Sequence, residues 1–95
     1  MSRAFVNEDA GGDSGPEYRL PEPDSPYYPE AAAWALIQGA DQGDSRGAED
    51  ATGYRWGDPL LVREVEAILE GAEARGEERV AQLARRFLST ARSER

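Results

Sequence analysis

Apolar positions in the second half of the chain recur with the period of an α-helix. Leu61, Val65, Ile68 or Leu69, and Ala72 form one stripe, with Arg63, Glu64, Glu66, Glu70 and Glu73 around it. Asp58 before Pro59 supplies a capping carboxylate and a proline at the first helical position, so this helix is predicted to run from 59 to about 74. After Gly76, Val80, Leu83, Ala84, Phe87, Leu88 and Ala91 repeat the stripe, which predicts a further helix over roughly 77 to 92. A glycine between two amphipathic helices suggests an antiparallel hairpin. Because the two stripes are nearly in phase and one glycine costs only about 1 kcal/mol, a single long helix through Gly76 is the alternative.

The middle of the chain predicts two more helices. Pro29 can open a helix, the run Glu30 to Gln38 is rich in helix formers, and Gly39 or Gly43 can close it, giving a first helix over about 29 to 41. Asp44-Ser45 offers an N-cap for a short second helix through Glu49, Asp50 and Ala51, closed by Gly53. No segment alternates with period two, so no sheet is expected, and no repeat is seen. Residues 1–27 read as an acidic, flexible arm, because Gly11, Gly12, Gly15, Pro16, Pro21, Pro23 and Pro26 interrupt every periodic pattern. Phe5 with Val6, and Tyr18 with Leu20, are apolar spots that could dock on a partner or fold back onto the body. The expected fold is therefore all-α, a small bundle of three to four short helices with a C-terminal helical hairpin over 28–95, preceded by that arm.

Composition narrows the chemistry. The 95 residues include no His, no Cys and no Lys, which removes the side chains of Ser-His and Cys-His triads, Schiff bases, Walker lysines and ordinary zinc sites. This argues against an enzyme, leaving carboxylate and Mg²⁺ chemistry as the least favoured reading, and no cofactor is predicted. The net charge is −8, and the whole imbalance lies before Pro59: 12 acids and 4 arginines up to Asp58, then 7 of each. So acidic a chain is a poor binder of nucleic acid, and direct nucleic-acid contact is not expected. The arginines from Arg79 to Arg95 are better read as a solvated face that offsets a helix dipole. With no membrane-spanning run, no signal pattern and no disulfide, the chain reads as a cytoplasmic protein that relies on packing or a partner for stability.

Two clusters invite a functional reading. In Gly53-Tyr54-Arg55-Trp56-Gly57, residue types that dominate interface hot spots sit between glycines. Trp56, and still more Trp34, are expected to plug the core, leaving Tyr54 and Arg55 as the better contact residues. The acids Asp41, Asp44, Glu49 and Asp50 fail the calcium-loop pattern, since Arg46 stands where a glycine is required, and are read as helix caps and dipole partners. Glu73, Glu77 and Glu78 fall at the expected hairpin tip.

The opening Met1-Ser2-Arg3-Ala4-Phe5-Val6, followed by Glu8-Asp9, resembles the start of a subset of bacterial Gre-like transcription elongation factors. Leu20-Pro21-Glu22, Ser25-Pro26, and Tyr28-Pro29 entering a helix with Ala32 and Leu36 extend the likeness over about the first 37 residues. Members of that family act on RNA polymerase through a long helical hairpin with an acidic tip, and carry a β-rich C-terminal domain. No stretch of these 95 residues reads as that domain, and a hairpin of about 16 residues per arm is expected to reach only about 24 Å. The resemblance therefore implies a shared arm and docking surface, not transcript cleavage. The expected function is that of a non-enzymatic bacterial interaction protein, an accessory factor of RNA polymerase, with Arg3, Phe5 and Val6 as one contact and Tyr54, Arg55 and Trp56 as another. The alternative is a self-associating structural protein in which the stripes of the last two helices complete their core across a homodimer.

Overall fold

Prolines, glycines and one aspartate divide the chain into four α-helices, α1 (Tyr28–Asp41), α2 (Ser45–Thr52), α3 (Val62–Arg75) and α4 (Glu78–Ser93), with a 3₁₀ turn (Pro59–Leu61) ahead of α3. The computed structural model describes residues 18–93; the expectation of a flexible arm falls largely outside them. Among the described residues the fold is all-α, and no helix is long and apolar enough to cross a membrane.

Each boundary has a local cause. Pro29 lies in the first turn of α1, where a missing amide hydrogen costs no helical bond. Gly43 (φ +74°) then turns the chain, and the Asp44 amide donates to the Gly39 carbonyl at 2.7 Å. Gly53 ends α2 in the left-handed conformation. Asp58 acts as the expected cap, its Oδ1 accepting from the Leu60 amide at 3.0 Å. The predicted helix from 59 nevertheless starts as a tight 3₁₀ turn and becomes α-helical only at Val62. That tighter turn leaves Leu60 exposed and places Leu61 in the core.

At Gly76 the choice between a hairpin and a long helix is decided by backbone hydrogen bonds. Gly76 is left-handed (φ +72°), the Glu77 amide donates to the Ala72 carbonyl at 2.8 Å, and the Gly76 amide donates to that of Glu73 at 3.3 Å. This is a Schellman ending, which satisfies α3's last carbonyls and reverses the chain. Ion pairs Glu73–Arg85 and Glu66–Arg92 then link the arms: moving back from 73 to 66 on α3 moves forward from 85 to 92 on α4, as antiparallel register requires.

The core joins Leu36 and Ile37 of α1 with Ala48 of α2, Leu61, Val65 and Ile68 at and beyond the 3₁₀ turn, and Leu83, Phe87 and Leu88 of α4. The most extensive pairing is α3 with α4; α1 packs on α2 and also on both arms of the hairpin. The apolar stripes of α3 and α4 pack largely inside one chain, with Leu69 and Val80 of the two helices left half-buried at the margin of the core.

Candidate partner-binding surfaces

The segment from Gly53 to Asp58 is an irregular loop held from several directions. The Tyr54 amide donates to Thr52 Oγ1 (3.1 Å), and the Trp56 amide donates to Glu49 Oε2 (2.8 Å). Trp56 packs edge-on against the fully buried Phe87, with ring centroids 5.0 Å apart, and Tyr54 lies 6.3 Å from the Tyr28 ring. Tyr28 in turn donates its hydroxyl hydrogen to the Thr52 carbonyl at 2.9 Å. Gly57 is left-handed, and a Cβ there would run into Thr90 on α4, so the loop lies flat on that helix. Trp56 and Tyr54 are both half-buried and packed against the core, whereas Arg55 between them is exposed. Of the three sequence-predicted contact residues on this loop, Arg55 is the one whose side chain reaches outward; Arg3, Phe5 and Val6 lie outside the described residues.

Trp34 departs from expectation. It was expected in the core and is instead 37% exposed. The reason is helical phase. Ala32, Ala33, Ala35, Leu36, Ile37 and Gly39 are all buried, so the inward faces of α1 are occupied by neighbours on most sides. What remains is an outward row of Glu30, Trp34, Gln38 and Asp41, every member exposed. Three polar residues in register with Trp34 are the signal that marks its outward position.

Grooves flank the indole on both sides. One of about 490 Å³ lies between α1 and α3 and is lined by Pro26, Glu30, Arg63, Glu64, Ile68 and Arg75, among others. The other, of about 200 Å³, lies between α1 and α4 beside Ile37, Val80 and Leu83, and the Asp41–Arg79 pair (2.8 Å) stands at its edge. Within the first, Glu64 Oε1 is buried and accepts no hydrogen bond from the described residues, an arrangement that costs about 1–3 kcal/mol when unrelieved.

The acidic clusters stand at helix ends as expected, with Glu78 in the first turn of α4, and several of their side chains also make tertiary contacts. Asp44 occupies the N-cap position of α2, yet its side chain makes no cap bond; Oδ2 accepts from the Tyr18 hydroxyl at 2.8 Å. Burial, reinforced by that bond and by the Asp44 charge, pushes the Tyr18 hydroxyl up to about 12. Asp41 pairs with Arg79, and Glu49 holds the Trp56 amide. At the hairpin tip, Glu73 pairs with Arg85 and Glu77 with Arg75. Among the described residues no group of three or more acids is arranged to hold a metal ion. Comparisons of the chain with protein-family models, with curated proteins and with solved structures each found no match.

Proposed function

We propose that the protein is a non-catalytic interaction module of the bacterial cytoplasm that docks on RNA polymerase through its N-terminal residues and the apex of the 53–58 loop. The observation that carries the reading is the presentation of Arg55. Two aromatic neighbours are anchored against the core, two side-chain acceptors hold the flanking amides, and the arginine between them is exposed. A guanidinium on a fixed backbone loses little conformational entropy on binding, which is the property that favours arginine at hot spots. The Met1 to Val6 resemblance supports the choice of partner.

The test is binding to purified bacterial RNA polymerase, measured by biolayer interferometry. Since Tyr18 packs on the core and bonds to Asp44, a deletion meant to spare the fold stops at Glu17. Binding by the full chain is expected, with about tenfold or greater weakening on removal of residues 1–17 or on Arg55→Ala, while the helical circular dichroism stays unchanged. No binding at micromolar concentration would exclude the polymerase as partner, and binding indifferent to both changes would exclude these surfaces.

A further inference from the structure

A second association surface follows from the outward face of α1. Trp34 is the one tryptophan of the two that does not lie against Phe87, and it stands exposed between the two grooves. The charge around it differs from that of the chain. The whole sequence carries −8, but the larger groove sets Glu30 and Glu64 against Arg63 and Arg75, two of each sign, and at the smaller groove Asp41 is already neutralised by Arg79. Arg63 makes no ion pair among the described residues, and Arg75 pairs only with the exposed Glu77.

We propose that this face is a homodimer contact, its occupant a second copy of the same chain. A two-fold contact brings one patch against itself, so the patch must complement its own charges. A face of a single sign would repel its copy; this one carries two carboxylates and two arginines. Each copy also supplies both an exposed indole and the grooves that can receive one, and a central aromatic ringed by polar residues is the usual anatomy of such a contact. Most of the α3 and α4 stripes is buried within one chain, whereas the indole of Trp34 stays exposed beside its grooves. The inference stands apart from the polymerase reading, which uses other residues, Arg55 and those of the N-terminus.

The experiment is sedimentation equilibrium on the full chain across the micromolar range, with Trp34→Ala and Arg63→Glu in parallel. Both substituted side chains are exposed, and circular dichroism verifies that each variant keeps its helices. The expected result is a species of twice 10.4 kDa for the parent and a dissociation constant raised about tenfold or more in each variant. A parent that stays at 10.4 kDa throughout overturns the proposal. So does either folded variant that dimerises as tightly as the parent.

Discussion

The two tryptophans occupy regions with opposite logic. Trp56 sits in an irregular loop and is packed edge-on against Phe87, while Trp34 sits in the middle of a regular helix and faces outward. Regular backbone does not bring burial with it. In α1 the inward positions are filled by Ala32, Ala33, Leu36 and Gly39, small or branched residues that let α2 and the hairpin approach closely. The loop has no helical phase to obey, so it can fold its indole onto α4 once Gly57 allows the chain to lie there. What decides burial is the room that neighbours leave, more than the size of the side chain.

The sharpest way to break this contrast is Trp56→Ala. Removing the ring that covers Phe87 is expected to cost about 2–4 kcal/mol, read by urea denaturation. A loss below about 1 kcal/mol would show that the loop is held by its hydrogen bonds alone. Next comes Gly39→Ala, on the inward side of α1. A Cβ there would lie 2.7 Å from the Ala48 Cβ and 2.9 Å from the Asp44 carbonyl oxygen, so α2 must shift, at a cost of about 1–3 kcal/mol. An unchanged midpoint would mean that the α1–α2 crossing is slack.

Tyr18→Phe has a smaller effect, about 1 kcal/mol for the lost bond to Asp44. It also carries a pH signature. The folded state holds the phenol proton more tightly than the unfolded chain, whose tyrosine titrates near pH 10. The stabilisation is therefore fully present below about pH 10 and is lost as pH rises toward about 12. Denaturation midpoints of parent and variant should converge over that window; parallel curves would refute the assignment. The smallest effect is expected for Trp34→Ala, about 1 kcal/mol or less when measured at concentrations where the chain is monomeric. A cost equal to that of Trp56→Ala would erase the distinction between the two regions.

The helices were legible because the residues that start and stop them act locally. Pro29, Gly53, Asp58 and Gly76 do what their backbone chemistry predicts at the places where they stand. The hairpin was legible from the glycine between the two stripes, but stripe phase alone left one long helix as the alternative, and the two hydrogen bonds that close α3 decide between them. Asp44 takes the expected N-cap position, but its side-chain bond was not legible because its partner, Tyr18, lies 26 residues away. The outward position of Trp34 is legible in its row of Glu30, Gln38 and Asp41, because helical phase outweighs residue type there. The Trp56 anchor on Phe87 and the fixed presentation of Arg55 depend on tertiary packing that no local pattern encodes.

The Schellman turn at Gly76 also orders events in time. It joins α3 and α4 through Gly76 and Glu77, so the most extensive pairing in the molecule closes a very short loop, whereas α1 must find both arms across tens of residues. Hairpin formation should precede docking of α1, with φ-values higher at Ile68 and Leu83 than at Leu36. On a ribosome the sequence of emergence is reversed. The alanine-rich α1 leaves before α3 and α4, with only α2 to pack against, and must wait for the hairpin to supply the rest of its core.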